Sequence, residues 1–253
     1  MRKEAITIAM LYHARRGQAS YGEAIGILLL DTSFAPYIPG DVANASSYPF
    51  PVRYQVVEGI TVEKIFKKDS SFLDKFIKAG QELVDSGVRV ITGNCGFMAI
   101  YQKELARQLA VPVFLSSLLQ LSFMKSMIGN SEKIGIITAN AGILDESLLK
   151  EVGLQDASSV IIEGMENQEH FKEAIIEEAG WLDDKKMERE VVSVVKKMVK
   201  ENPAIKMILL ECACLPSYGA AVQEAVHLPV FDFITMINYV YSAVVKKEFQ
   251  GFM

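Results

Sequence analysis

The sequence has few cysteines and no long hydrophobic run. Its 253 residues include three cysteines, an odd number that does not suit the disulfide framework of a small secreted protein. We therefore expect free thiols in a reducing compartment. The apolar runs are far shorter than the roughly 20 residues that span a bilayer, and no signal-peptide pattern is present. These absences predict a cytoplasmic protein with no membrane partner.

Basic charge is also in deficit. Lys and Arg number 26 against 31 Asp and Glu, which gives a net charge of −5. A nucleic-acid binder needs a basic surface that releases counterions, so we expect no nucleic-acid partner. The sequence contains neither a G-x-G-x-x-G motif nor a P-loop, and we predict no dinucleotide or nucleotide site. With 50% hydrophobic residues the chain can bury a large core.

Apolar runs of strand length alternate with segments of helical periodicity. IGILLLD at 25–31 and KIGIITAN at 133–140 are continuous apolar runs, as expected for strands buried on both faces. Residues 70–86 and 183–201 have apolar positions at helical spacing. This alternation predicts an α/β fold with parallel sheets and helices on both faces.

Three landmarks recur in the same order, which indicates two similar lobes. The IGI tripeptide at 25–27 recurs 109 residues later at 134–136, and Cys95 and Cys212 are 117 residues apart. Each of these cysteines precedes the proline of a Pro-Val-Phe strand by 17 residues. Such self-similarity is typical of duplicated units.

From this repeat we predict two Rossmann-like lobes related by a pseudo-twofold, with the active site in the cleft between them. Lobe 1 covers 25–115 and lobe 2 covers 116–233. Residues 1–24 form an N-terminal extension, and a C-terminal helix in 234–253 is a candidate to close lobe 1.

Cys95 and Cys212 are the candidate catalytic residues. Each directly follows a buried-type strand and precedes a helix, and ligands of parallel sheets bind at the carboxyl ends of the strands. A helix N-terminus favours a thiolate. If the lobes face each other, one thiolate can remove a proton from a carbon while the other thiol delivers one to the opposite face. The alternative is a small buried hydrophobe, a common role of free cysteine.

Cys214 competes with Cys212 because both lie in one C-x-C motif, but the 17-residue spacing favours Cys212. A zinc site would need a second ligand pair beside this motif and His227, and redox sites more often have C-x-x-C. We therefore predict no metal site and no redox motif. His170, which lies among glutamates, is assigned to a solvated helix face.

Polar side chains that follow the strands are candidate substrate-binding groups, together with the residues that flank the two cysteines. The alternative for the Asp, Asn, Ser and Thr residues is a turn or helix cap, a role that these residue types favour in any protein. The candidates are Asp31, Thr32, Asn94, Gly96, Phe97, Ser116, Ser117, Thr138, Asn140 and Ala213.

The motifs GNCG at 93–96 and LLECA at 209–213, each followed by the return to Pro-Val-Phe, resemble the aspartate/glutamate racemase superfamily. This superfamily includes hydantoin racemases, maleate isomerases and arylmalonate decarboxylases. The resemblance implies a reaction without cofactor, with Cys95 and Cys212 as opposed acid/base catalysts on a small carboxylate substrate, and a homodimer. Gly96-Phe97 and Ala213-Cys214 replace the Asn-Thr and Thr-His pairs that usually follow the two cysteines. The identity of the substrate therefore stays open.

The function predicted from these features is that of an isomerase. We expect a racemase or epimerase, independent of pyridoxal phosphate, that acts on Asp/Glu-like or hydantoin-like compounds. The alternatives are an arylmalonate-type decarboxylase, a maleate-type cis–trans isomerase, and a protein that binds small carboxylates without catalysis. A binder would be stabilised by its ligand without exchanging protons.

Overall fold

The structure, a computed structural model, describes residues 11–31, 35–67 and 69–253. Within these ranges eight strands form two four-stranded parallel sheets, one in each half of the chain. Helices and short 3-10 segments connect the strands. The predicted α/β fold of two similar lobes is confirmed.

The first sheet contains β1 (Ile25–Leu30), β2 (Val52–Val57), β3 (Val90–Gly93) and β4 (Val113–Phe114), in the spatial order β2-β1-β3-β4. Its connections contain three α-helices and three 3-10 segments. These are α1 (Val62–Phe66), α2 (Leu73–Asp85), α3 (Gln102–Gln108), and the 3-10 segments Ala45–Ser47, Ser70–Phe72 and Gly96–Tyr101.

The second sheet contains β5 (Lys133–Thr138), β6 (Val160–Gly164), β7 (Ile205–Leu210) and β8 (Val230–Phe231), and its order β6-β5-β7-β8 repeats that of the first sheet. The helices of this half are α4 (Leu121–Ser126), α5 (Glu146–Glu151), α6 (Glu169–Phe171), α7 (Asp184–Glu201), α8 (Gly219–Val226) and α9 (Phe233–Val244). Short segments of 3-10 helix lie at Ser117–Gln120, Ala157–Ser159 and Leu215–Tyr218, and α6 continues as a π-helix over Lys172–Ile176.

The glycine of the repeated IGI tripeptide allows a helix to pack close to each central strand. A Cβ on Gly26 would lie 3.0 Å from a methyl carbon of Leu83 on α2, and a Cβ on Gly135 would lie 2.5 Å from the terminal methyl of Met198 on α7. Both contacting side chains belong to the buried stripe of their helix. The tripeptide therefore recurs because the same strand–helix contact recurs in each lobe.

The C-terminal helix packs on the first lobe. Phe233 and Ile237 of α9 belong to a buried cluster with Ile25 and Ile27 of β1. The helix begins where the Asp232 carboxylate accepts a hydrogen bond of 2.7 Å from the Thr235 amide, a typical N-cap. It ends at Val244, and residues 245–253 continue without helix, so the helix occupies only part of the predicted range 234–253.

His170 is buried rather than on a solvated helix face, which corrects the sequence-based assignment. Only 3% of the residue is exposed. Its Nε2 accepts a hydrogen bond of 2.8 Å from the Asp183 amide at the start of α7, and its ring lies 4.8 Å from the Trp181 ring. The glutamates around it in sequence suggested exposure, but the packing of α6 on α7 covers the imidazole.

No helix in the described part of the chain is both long enough and apolar enough to cross a membrane.

Candidate active site

A cavity of about 70 Å³ lies between the two lobes, beyond the carboxyl ends of β1, β3 and β7. Both halves of the chain contribute to its wall, as expected for an active site in the inter-lobe cleft. The lining residues of the first half are Leu30, Ala35, Tyr37, Asp41, Val62, Phe66, Asn94, Cys95, Gly96 and Phe97. Those of the second half are Ala139, Ile175, Ile176, Glu178, Glu211, Cys212, Ala213 and Cys214.

Cys95 follows β3 and is the N-cap residue of the 3-10 segment Gly96–Tyr101. Burial raises the pKa of the Cys95 thiol well above its usual value, and the charges of Glu211 and Cys212 add to this effect. Hydrogen bonds from the Phe97 and Met98 amides act in the opposite direction, since they stabilise the thiolate. Cys95 is therefore a thiol at neutral pH, and the Phe97 and Met98 amides are in place to stabilise its thiolate.

Cys212 and Cys214 follow β7 and line the cavity from the second lobe. Their sulfur atoms lie 3.5 Å apart. The hydrogen bond with Cys212, together with burial, raises the pKa of the Cys214 thiol. Because Cys212 also influences the ionisation of Cys95, the two candidate catalytic thiols are electrostatic neighbours. The structure brings all three cysteines to one cavity, and their catalytic roles stay a prediction.

Glu211, the residue before Cys212, is a buried carboxyl that the sequence reasoning missed. Only 1% of it is exposed, and burial raises its pKa to about 7. Its Oε2 accepts a hydrogen bond of 2.7 Å from the Thr138 hydroxyl, while its Oε1 has no hydrogen-bond partner. A Cβ on Gly96 would lie 1.6 Å from Oε1, so only glycine leaves room for this carboxyl beside Cys95. The available signal was an acidic residue at the end of the apolar run MILLE.

Asp41 is a second buried carboxyl that the sequence reasoning missed. It is 3% exposed, and burial raises its pKa to about 7 although the Ala43 amide donates to Oδ1 over 2.7 Å. Its loop crosses to the second lobe, where the Val42 amide donates to the Ala213 carbonyl over 3.2 Å. Gly40 has a φ of +100°, and a Cβ there would lie 2.5 Å from the Ser217 Cα. This close approach of two backbones holds Asp41 at the cavity.

The remaining wall is mainly apolar, with aromatic and acidic side chains among aliphatic ones. The rings of Phe66 and Phe97 meet edge to face with centroids 5.3 Å apart, and Tyr37 also lines the cavity. Glu178 follows the π-helix with a φ of +50°, a left-handed conformation that is uncommon outside glycine. Among the described lining residues, three carry carboxyl groups and none is Lys, Arg or His. Where these carboxyls are ionised, they attract a ligand that carries positive charge.

Four of the candidate substrate-binding residues line the cavity beside the cysteines: Asn94, Gly96, Phe97 and Ala213. Asn94 also fixes the end of β3, because its Oδ1 accepts a hydrogen bond of 2.9 Å from the Leu30 amide. Thr138 and Ser117 act from behind the wall. Thr138 bonds the Glu211 carboxylate, and the Ser117 hydroxyl donates to the Glu211 carbonyl over 3.1 Å.

Three other candidates do not line the cavity, and each bonds to a nearby backbone instead. Asp31 accepts a hydrogen bond of 2.6 Å from the Gly59 amide, and Asn140 accepts one of 2.9 Å from the Gly142 amide. Ser116 caps the 3-10 segment that follows it. The capping alternative applies to these residues, because short polar side chains readily bond to turn amides. Thr32 lies outside the described residues.

The sequence is similar to curated dimethylsulfoniopropionate lyases of Durusdinium sp. clade D and Emiliania huxleyi. It is 32% identical over 232 residues to the dimethylsulfoniopropionate lyase of Durusdinium sp. clade D, covering 85% of this chain and 73% of that protein. It is 32% identical over 235 residues to dimethylsulfoniopropionate lyase 7 of Emiliania huxleyi, covering 88% and 68%. The chain spans less than two thirds of two other relatives, 45% of lyase 5 and 58% of lyase 3 of Emiliania huxleyi. No protein-family model matches the sequence.

Solved structures with the same fold belong to the aspartate/glutamate racemase superfamily. A sulfate-associated variant of arylmalonate decarboxylase aligns with a TM-score of 0.59 at 14% identity, covering 88% of this chain and 94% of that one. Allantoin racemase from Pseudomonas fluorescens aligns with a TM-score of 0.58 at 14% identity, covering 88% and 91%. Identities this low establish a shared fold and nothing about the reaction.

These comparisons correct the function predicted from the sequence. The prediction of an isomerase acting as an amino-acid racemase or epimerase is wrong, since the curated relatives are lyases. The physical reason is that a pair of cysteines suited to proton transfer at carbon does not distinguish the two reactions, because such a transfer starts eliminations as well as racemisations. The chain belongs to the dimethylsulfoniopropionate lyase family and has the fold of the aspartate/glutamate racemase superfamily.

Proposed function

We propose that this protein is a lyase that cleaves dimethylsulfoniopropionate, with Cys95 as the base and Cys212 as a second thiol that contacts the substrate. The observation that carries the proposal is the acidic cavity at the two cysteines, whose described lining includes three carboxyl groups and no cationic side chain. A sulfonium group is a permanent cation, and carboxylates and aromatic rings are the protein groups that attract cations. An acidic amino-acid substrate, with two carboxylates, would be repelled by the same wall.

The name of this compound describes a propionate with a dimethylsulfonium group on the carbon next to its α-carbon. Elimination removes a proton from the α-carbon, and the electron pair of that C–H bond forms the new double bond. The C–S bond breaks with its electrons on sulfur, which leaves acrylate and neutral dimethyl sulfide. Because dimethyl sulfide departs without needing a proton, one base is sufficient and no second acid is required on the opposite face.

Cys95 is the base in this proposal. The Phe97 and Met98 amides act to lower the pKa of the Cys95 thiol and so favour the thiolate that would take the α-proton. Cys212, from the other lobe, contacts the substrate from the second side of the cavity. Asp41 binds the sulfonium group, and Asn94, Gly96, Phe97 and Ala213 contact the rest of the substrate, as expected from their places in the wall.

The direct test is an assay of the purified protein with dimethylsulfoniopropionate. Dimethyl sulfide in the headspace is measured by gas chromatography, and acrylate is measured by NMR. We expect both products in equal amounts, and loss of both in Cys95→Ser and Cys212→Ser. Cys214→Ser is the matched control and should retain turnover.

A folded protein that binds the compound in calorimetry but releases no dimethyl sulfide would contradict the proposed reaction. That result would instead support a binding protein that uses the same cavity without catalysis.

A further inference from the structure

The unpartnered oxygen of Glu211 lies beside Cys95. Glu211 is 1% exposed and lines the cavity, yet its Oε1 has no hydrogen-bond partner. The position that a Cβ on Gly96 would occupy is 1.6 Å from this oxygen, which places it against the residue that follows Cys95. A buried oxygen without a partner is expensive, and such atoms are rare in folded proteins unless they have a role.

We propose that Glu211 is the proton acceptor for the Cys95 thiol, so that the two groups share one negative charge. Glu211 acts through Cys95 and does not itself touch the substrate. The inference rests on the proposed function only for the identity of the substrate, because the sharing of the proton is a property of the protein alone.

The hydrogen bonds of the carboxyl determine which oxygen carries the proton. Oε2 accepts from the Thr138 hydroxyl over 2.7 Å, and the Ala139 amide also donates to the carboxylate. Oε1 is the oxygen that is left, so the neutral form of Glu211 carries its proton there. The proton is then on the side of Gly96 and Cys95, where it can pass between the carboxyl and the sulfur.

The negative charge of the pair is stabilised by hydrogen-bond donors whether it lies on Glu211 or on Cys95. When Glu211 is ionised, Thr138 and Ala139 donate to it. When Cys95 is ionised, the Phe97 and Met98 amides donate to its sulfur. Each charge raises the proton affinity of the other group, so a state in which both are ionised is disfavoured and the pair titrates as a unit.

The sequence of proton movements balances. The S–H bond of Cys95 breaks and an O–H bond forms on Glu211, which leaves a thiolate and a carboxylic acid. The thiolate then takes the α-proton of the substrate, the C–H electron pair becomes the C=C bond, and the C–S electrons leave with dimethyl sulfide. Cys95 is again a thiol, and Glu211 releases its proton to solvent after the products leave. No electron acceptor or other reactant is needed.

The groups that face this pair come from several elements. Cys212 adjoins Glu211 in sequence, and Cys214 follows on the same segment. Asp41 of the first lobe and Glu178 after the π-helix share the cavity. The non-titratable contacts are those of Thr138 and the Ser117 hydroxyl, which donates to the Glu211 carbonyl. Of the titrating groups, Asp41 is the one to separate from Glu211 by experiment, because burial raises its pKa to about 7 as well.

The test measures the thiolate of Cys95 directly. The double variant Cys212→Ser/Cys214→Ser leaves Cys95 as the only cysteine of the chain. Its alkylation by iodoacetamide is followed by mass spectrometry between about pH 5 and pH 10, with and without Glu211→Gln. Because each charge raises the proton affinity of the other group, Glu211→Gln moves the Cys95 titration downward and removes the step near pH 7 that belongs to the pair.

An upward shift would overturn the inference, because it would mean that the two groups do not compete for one proton. A carboxylate that only repels the thiolate would give a Glu211→Gln variant with higher kcat, whereas loss of the proton acceptor lowers kcat. An unchanged profile would mean that Glu211 has only a structural role, which would also refute the proposal. Asp41→Asn is the matched control, and it should leave the shape of the profile intact.

Two further measurements keep the test decisive if Glu211→Gln does not fold or if the protein has no lyase activity. If Glu211→Gln does not fold, Gly96→Ala displaces the carboxyl by steric contact and should move the Cys95 titration in the same direction. If the protein has no lyase activity, the alkylation profile still decides whether the pair shares a proton. If it has lyase activity, Glu211→Gln should lower kcat and remove an ionisation near pH 7 from the pH profile, while KM for dimethylsulfoniopropionate changes little.

Discussion

Glu211→Gln should make the protein more stable at high pH and less stable at low pH. Burial raises the pKa of Glu211 from 4.5 to about 7, which is about 2.5 units. Each unit corresponds to about 1.4 kcal/mol, so ionisation of this carboxyl disfavours the folded state by up to about 3 kcal/mol above pH 7. Between about pH 4.5 and pH 7 the folded state binds more protons than the unfolded state, and stability therefore falls as the pH rises through that window.

Glutamine keeps the size of the side chain and an acceptor for the Thr138 hydroxyl, but it carries no charge. Its amide has no partner beside Gly96, which costs about 1 kcal/mol at every pH. The variant should therefore gain about 2 kcal/mol near pH 8 and lose about 1 kcal/mol near pH 4. Urea unfolding followed by circular dichroism at the two pH values measures the difference.

Glu82→Gln, which removes an exposed carboxylate of α2 outside the cavity, reports the effect of total charge alone. An equal loss of stability at both pH values in Glu211→Gln would show that this carboxyl is not held in its neutral form. The reasoning about burial and the shared proton would then be refuted.

Three other substitutions test the architecture of the cavity. Gly96→Ala brings a Cβ within 1.6 Å of Glu211 Oε1 and should lower the free energy of unfolding by about 2 kcal/mol and abolish turnover; an unchanged Tm in calorimetry would contradict this contact. Asp41→Asn should raise KM for dimethylsulfoniopropionate about tenfold with a smaller change in kcat, and an unchanged KM in steady-state kinetics would remove Asp41 from cation binding. Gly40→Ala should destabilise the fold by about 2 kcal/mol in urea unfolding, because its φ is +100° and a Cβ would lie 2.5 Å from the Ser217 Cα; full stability would refute that close approach.

The sequence carried enough information for the fold because hydrophobic patterning is strongest in buried strands. The apolar runs at 25–31 and 133–140 are the central strands β1 and β5. Their glycines mark the same strand–helix contact in each lobe. Short elements such as α1, with five residues, have too few positions to show a periodicity, and the sequence reasoning did not find them.

The cavity was predictable only in part. Cys95 and Cys212 follow buried strands, and strand ends are where parallel sheets bind ligands. Asp41 and Glu211 could not be identified in the same way, because their burial depends on contacts between the two lobes that leave no periodic signal. Asp31 and Asn140 have the residue types of a binding site, but nearby turn amides are closer partners.

The reaction class was not predictable from the cysteines. In a reaction that starts with proton transfer at carbon, the outcome depends on whether the substrate carries a group that can leave. In the proposed function the carboxyls of the cavity favour a cationic substrate over an amino-acid dicarboxylate, and two of them, Asp41 and Glu211, are the residues that sequence reasoning missed.

The most direct test of the proposed function is the release of dimethyl sulfide from dimethylsulfoniopropionate by the purified protein. We expect equal amounts of dimethyl sulfide and acrylate, both lost in Cys95→Ser and in Cys212→Ser and both retained in Cys214→Ser. A folded wild-type protein that forms neither product, or a Cys95→Ser variant with full activity, would contradict the proposed function.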